Sequence, residues 1–269
     1  MVKSFLNGIN NLIGGEFLEK EIYSIYGVAS VGKSVYLIGE ALNLIANGWR
    51  VVWIDTEGGF QGNFNVWEPI YEKRFGKINL DNFHYYRVLS VEEFCELFGM
   101  QVKVDYGDSK MEVTPTSVNE KLSELYEKYG RLRGKVAVIV DSMSSPIRLQ
   151  FTSKVQNFSG RADAESLMLL NLIKFAEKTN AFVLLSNHES KNPTDNYLPQ
   201  GSLRGGSTLK YYSKYILQFV KPMKKAWGDF RQVIAVRTPI ARDNELSEWI
   251  KLTSNGYEDS SIQEVEAVK

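Results

Sequence analysis

A single cysteine, Cys95, stands among 269 residues, so an internal disulfide is excluded. The chain fits a reducing compartment, and a lone thiol of this kind is expected in the core. Net charge is also lacking: 32 Lys and Arg balance 32 Asp and Glu. No global positive field advertises a polyanionic partner, and any such contact must come from local patches. No stretch approaches the ~18 uninterrupted apolar residues of a membrane span, and the opening MVKSFLNGINNLIGGEFLEK has no long apolar core. A soluble, cytoplasmic chain with no membrane contact is expected. Internal repeats, low-complexity blocks and Pro/Gly/Ser linkers are absent as well, so residues 1–269 are expected to form one domain. Only 257–269 reads as a polar tail.

What is present is a 43% hydrophobic composition, enough for a packed core. Strand-length apolar runs recur at 21–27, 50–55, 82–89, 135–141 and 181–187, in the form typical of strands buried on both faces. Helical patterns separate them at 33–46, 64–74, 91–100 and 162–178. This alternation predicts an α/β fold with a mostly parallel sheet covered on both sides. Residues 101–130 interrupt it as an expected insertion: a hairpin, VKVDYGDSKMEV, then a helix opened by Thr116 or Ser117 and carrying Val118, Leu122, Leu125 and Tyr129. From 214 onward only strands follow, which predicts an antiparallel extension of the sheet. A basic run there, with Lys221, Lys224 and Lys225, reads as solvated surface.

The stretch from Gly27 through Val28, Ala29, Ser30, Val31 and Gly32 to Lys33 and Ser34 spells G-x-x-x-x-G-K-S, entered by an expected strand and left by an expected helix. Main-chain N–H groups and the positive end of a helix form a concavity for polyphosphate, and the glycines let the backbone come close. Lys33 is suited to the β and γ phosphates of ATP and the Ser34 hydroxyl to Mg2+. Asp141, closing the run KVAVIVD, supplies the carboxylate that faces the metal through water. At the end of the second strand, in VVWIDTEGGF, Glu57 is placed to orient and deprotonate an attacking water. Asp55 has a rival reading as a ribose-binding acid, but the G-x-G-x-x-G that should precede it is missing.

Together these segments resemble the RecA-like recombinases, in particular archaeal RadA and its shorter paralogues. The similarity runs through GGEFLEKEIYSIYGVASVGKS, IDTEGGF, DNFHYYRVLSVEEF, VIVDSMSSPIR, NLIKFAEKTNAFVLLSNH and RDNELSEWIKLTSNGYED. It implies a RecA-like P-loop NTPase core with a mostly parallel central sheet, flanking helices and an antiparallel C-terminal extension. It implies a slow, DNA-stimulated ATPase that acts as an accessory in homologous recombination and repair. Glu57 falls on the catalytic glutamate and Asp141 on the Walker B acid. His188 takes the place of the glutamine that senses the γ-phosphate. Segments 143–161 and 188–209 fall on the two loops that touch single-stranded DNA. Their Arg148, Lys154, Arg161, Lys191 and Arg204, interleaved with Phe151, Phe158 and Tyr197, suit phosphate neutralisation and base stacking. A recombinase or other repair protein and further copies of the chain are the partners the resemblance implies. The adenine-stacking arginine is missing after the TEG stretch, where Phe64 or Trp67 offers a ring instead. Residues 1–20 stand where RadA carries a helical domain and a docking linker, so filament formation by that route is not expected. A KaiC-like signalling ATPase, or a nucleotide-gated interaction module, is the competing class.

Overall fold

The computed structural model describes residues 1–106, 111–119, 123–130, 134–150, 158–190, 202–203 and 206–268. A parallel group of strands forms the centre. β1 (Ile22–Gly27) lies between β9 (Tyr215–Val220) and β7 (Phe182–Ser190). Beyond β7 come β6 (Val136–Asp141), β2 (Arg50–Asp55) and β3 (Phe83–Arg87), all parallel. On the far side of β9 the sheet continues antiparallel through β10 (Phe230–Arg237), β11 (Ser247–Thr253) and β12 (Gly256–Ser260). The extension therefore begins one strand later than residue 214: β9 itself runs parallel to β1.

Both faces of the central strands are covered, which is why their apolar runs are continuous rather than alternating. Tyr23 and Ile25 of β1, Val51 and Trp53 of β2, and Ala137 and Ile139 of β6 face one core. It also holds residues of α1 (Asn7–Ile13), α2 (Lys33–Ala46) and α3 (Phe60–Phe75). Ile22 and Tyr26, Val52 and Ile54, and Val136, Val138 and Val140 face the other. There they meet residues of α4 (Val91–Leu97), α5 (Glu124–Tyr129) and α7 (Phe158–Thr179). Cys95 is buried in this second core.

The interruption after α4 consists of β4 (Met100–Tyr106) and β5 (Met111–Val118), a two-stranded antiparallel sheet of its own. β5 carries Thr116, Ser117 and Val118, so the helix expected to open there starts later: Ser123 caps α5, its hydroxyl accepting from the Tyr126 N–H. A serine at the N-cap competes well with one inside a strand because it satisfies an otherwise unpaired first-turn donor. Leu122, expected on that helix, lies outside the described residues. α4 stops at Leu97 rather than 100 because Gly99, at φ 73, turns the chain into β4.

The expected polar tail is also corrected. Residues 256–260 are β12, and α9 (Ile262–Ala267) follows with a capping box between Ser261 and Glu264. Tyr257 and Val265 are fully buried there. The charged residues that made the stretch look like a tail include Asp259, which accepts from the Asn7 and Gly8 N–H groups and fixes the start of α1. No helix among the described residues is long and apolar enough to cross a membrane.

Candidate functional site

Four adjacent parallel strands deliver their carboxyl ends to one place. In register, Gly27 of β1 lies beside His188 of β7, and Asp55 of β2 beside Asp141 of β6. The turn after β1 leads directly into α2, whose first residues are Lys33 and Ser34. Open α/β sheets bind ligands at such an edge.

The turn has the backbone that close approach to an anion requires. Ser30 and Gly32 sit at positive φ, 59 and 103, and the helix cap at Gly32 has no side-chain bond. A Cβ on Gly27 would lie 2.4 Å from the Phe219 carbonyl oxygen, so only glycine fits beside β9. Val28, Ala29 and Ser30 are exposed, whereas Val31 and Lys33 are buried. Lys33 Nζ donates to the carbonyls of Gly27 and Val28, at 3.0 Å each, folding across the loop. Burial pulls its ammonium below the ordinary lysine value, against the opposing pull of Asp141, Glu57 and Glu189. An oxyanion beside Nζ would offset that desolvation.

Asp141 is almost wholly buried, and the Ser186 hydroxyl donates to its Oδ1. Burial raises its carboxyl, offset in part by hydroxyl bonds from Ser186 and Ser34. A buried carboxylate joined to the loop serine is a hard-oxygen pair suited to Mg2+, which keeps several waters and takes few protein ligands. Among the described residues no cluster of three or more His, Cys, Asp or Glu forms an all-protein metal cage. The donor set thus fits a magnesium ion shared with phosphate.

Glu57 stands on the turn after β2. Its Oε1 accepts from the Ser142 hydroxyl at 2.5 Å and lies 2.6 Å from His188 Nε2. The bond with His188, then that with Ser142, outweighs desolvation and holds its carboxyl down to about 2. Thr56 ties this turn to β6: its hydroxyl donates to the Ser142 carbonyl at 2.6 Å and accepts from the Ser142 N–H at 2.8 Å. Asp55 is occupied otherwise. Its Oδ1 accepts from the N–H groups of Glu57 and Gly58, and its Oδ2 from the Tyr85 hydroxyl, with Arg87 alongside. Asp55 therefore builds the turn that presents Glu57, and the ribose reading lacks both its motif and a free carboxylate.

The expected residues thus fall into two groups. Lys33, Ser34, Asp141, Glu57 and His188 converge on one edge. Arg148, exposed on α6 (Ser144–Gln150), and Arg161, half-buried on α7, flank 151–157. Lys154, Lys191, Arg204, Phe151 and Tyr197 lie outside the described residues. Phe64 stacks on Phe83, with Phe60 beside it, and Trp67 packs near Tyr71, so both rings are half-buried against the edge of the core. His84 meets Lys128 Nζ at 2.8 Å, at a distance from these groups in the fold that its place on edge strand β3 sets. Lys224 covers the face of Trp227 at 4.3 Å. Two partners escaped sequence reasoning, Ser142 and Ser186. The first follows Asp141 directly in the motif VDS, and the second precedes His188 by two residues on the same strand face, which was the available signal.

The class that this topology and loop define is the RecA-like P-loop NTPase fold. No protein-family model matches the chain. The particular relatives are RadB proteins. The chain is 27% identical over 213 residues to the DNA repair and recombination protein RadB of Methanococcus maripaludis, covering 79% of this chain and 82% of that one. Over 214 residues it is 26% identical to the protein of the same name from Methanobrevibacter smithii, at 79% and 78% coverage. The crystal structure of the RadB recombinase superposes with a TM-score of 0.66 at 21% identity, covering 97% of this chain and all of that one. The resemblance to RecA-like recombinases and their archaeal paralogues, read from the motifs, is borne out by these similarities.

Proposed function

We propose that the chain binds MgATP, hydrolyses it slowly, and engages single-stranded DNA as an accessory in recombinational repair. The observation that carries this reading is the convergence of Lys33, Ser34, Asp141 and Glu57 at the carboxyl ends of β1, β6 and β2. Residues 27–34 would hold the phosphates, and Ser34 with Asp141 the metal. Magnesium held there by Ser34 and Asp141 would supply neutralisation of the phosphate charge. Glu57 orients a water for in-line attack, and His188, in contact with Glu57, reports the state of the site to β7 and the residues after it. A carboxylate held near 2 is ionised at any physiological pH but is a weak proton acceptor. Slow turnover follows from that.

The repair role rests on the similarity to relatives named DNA repair and recombination protein RadB. Arg148 and Arg161, on either side of 151–157, are the described part of the DNA surface we assign; Lys154, Lys191 and Arg204, outside the described residues, share that assignment on sequence alone. A recombinase or a second copy of the chain is the protein partner this role calls for. The competing reading, a nucleotide-gated interaction module without DNA contact, is favoured by one feature: Glu57 is already engaged by His188 and Ser142, an arrangement suited to switching as much as to turnover.

Binding of a fluorescent oligo-dT across a salt series, with and without MgATP, separates the two. The DNA reading predicts a log affinity that falls linearly with log salt, with a slope reduced by about one for each phosphate contact removed, as in Arg148→Ala. No binding at low salt leaves the module reading standing.

A further inference from the structure

The carbonyl of Val31, inside the phosphate loop, is the meeting point of two side chains from the C-terminal strands. Arg231 Nε of β10 donates to it at 2.7 Å and the Tyr257 hydroxyl of β12 at 3.3 Å. Neither side chain is there by chance of surface geometry. Arg231 is buried, and its Nη1 also donates to the carbonyls of Gly228 at 2.5 Å and Phe230 at 2.6 Å. Tyr257 is fully buried, with its N–H donating to the Tyr71 hydroxyl at 3.1 Å and its carbonyl accepting from Arg74 at 2.5 Å. Its hydroxyl lies 1.9 Å from where a Cβ on Gly32 would be, so the second glycine of the motif is also the space that admits the tyrosine.

We infer that Arg231 and Tyr257 are positioning residues of the phosphate cradle, acting through the peptide between Val31 and Gly32; this rests on the nucleotide-site reading above. In a planar trans peptide the C=O and N–H point in opposite directions. Holding the Val31 carbonyl against the brace turns the Gly32 N–H away from it and fixes a peptide that would otherwise be free to flip between two glycine-permitted orientations. Pre-set donors cost no reorganisation when an anion arrives. The charge points the same way. Among the described residues Arg231 has three backbone carbonyls and the Tyr257 hydroxyl as partners and is in no ion pair with a carboxylate, and a buried guanidinium without a counter-ion is expensive. A polyphosphate in the adjacent loop supplies that counter-charge. The antiparallel extension is thereby part of the nucleotide site and not merely an enlargement of the sheet.

The test is the affinity of the full chain for ATP, ADP and adenosine, all with Mg2+, measured by competition against a fluorescent ATP analogue, with thermal unfolding recorded in parallel. Arg231→Met is expected to weaken ATP about tenfold or more and Tyr257→Phe about two- to fivefold, with adenosine affinity unchanged in both. Arg231→Lys, which keeps the charge but not the planar fork, is expected to recover ATP affinity only in part. A purely structural role would lower the melting temperature and weaken adenosine along with ATP, and that pattern overturns the inference. Unchanged ATP affinity in folded variants overturns it too. Should Arg231→Met not fold, Tyr257→Phe, which removes one hydroxyl, decides alone. Wild-type protein that binds no MgATP overturns the nucleotide reading itself, whereas wild-type binding with unaltered variants overturns only the brace.

Discussion

Glu40, in the middle of the helix that the phosphate loop opens, is fully buried and carries a pH-linked effect whose hydrogen-bond partners allow it to be worked through. Ser4 donates its hydroxyl to Oε2 at 2.6 Å, Asn43 its amide to Oε1 at 2.8 Å, and Tyr36 its hydroxyl to Oε2 at 3.3 Å. Desolvation nevertheless outweighs these bonds and raises its carboxyl from 4.5 to about 7. The folded state thus holds a proton that the unfolded state has released between pH 4.5 and 7. More protons bound when folded means that stability falls as pH rises through this window. The stabilisation is fully present below 4.5 and lost above about 7. A shift of that size corresponds to roughly 3 kcal/mol, an order-of-magnitude figure. Replacing Glu40 by Gln removes the titration. Its amide oxygen takes the Asn43 bond and its NH2 donates to the Ser4 and Tyr36 hydroxyls, which accept as readily as they donate. Urea unfolding at pH 5 and pH 8, with the slope against denaturant checked for constancy, reads the difference. Glu40→Gln should match the wild type at pH 5 and exceed it at pH 8 by up to about 3 kcal/mol. Parallel pH dependences for the two proteins would refute the reasoning, because they would mean that Glu40 is ionised in the folded state at no cost.

Two further predictions concern the acid and the core. Removing a hydrogen bond that holds Glu57 down raises its carboxyl from about 2 toward 4.5, so protonation begins at higher pH. His188→Ala should move the acid limb of ATP turnover upward more than Ser142→Ala does, since the histidine bond is the larger cause; coincident limbs in the variants and wild type would contradict this. Phe182 is fully buried and stacks on Phe17 with ring centres 5.0 Å apart and planes 5° from parallel. Phe182→Ala should cost about 3–5 kcal/mol in chemical unfolding, and a loss below 1 kcal/mol would show that the core collapses around the vacancy.

Local order in the chain explains what was legible before the structure. The parallel strands 22–27, 50–55, 136–141 and 182–190 were readable because burial on both faces leaves a continuous apolar run, and the edge strand 83–87 because its residues are mostly aromatic. The phosphate loop was readable because its glycines, lysine and serine are contiguous. Asp141 was readable because it closes a continuous apolar strand, and Glu57 because it follows one by two residues. What escaped depends on pairings across the chain. Ser186 reaches Asp141 across 45 positions, and Arg231 reaches Val31 across 200, with no local pattern to announce either. The polar composition of 257–269 concealed β12 and α9, because an outer strand needs only its inward residues, such as Tyr257, to be apolar. Phe64 and Trp67 show the converse: aromatic rings suitable for a base are engaged instead with Phe83 and Tyr71 at the edge of the core.

Steady-state turnover and ATP affinity of wild type, Lys33→Ala and Glu57→Gln, measured together, test the central claim most directly. The account predicts slow, magnesium-dependent hydrolysis by the wild type and loss of both binding and turnover in Lys33→Ala. For Glu57→Gln it predicts ATP affinity within about threefold of wild type and turnover reduced about a hundredfold or more. Wild-type turnover in either variant would contradict it.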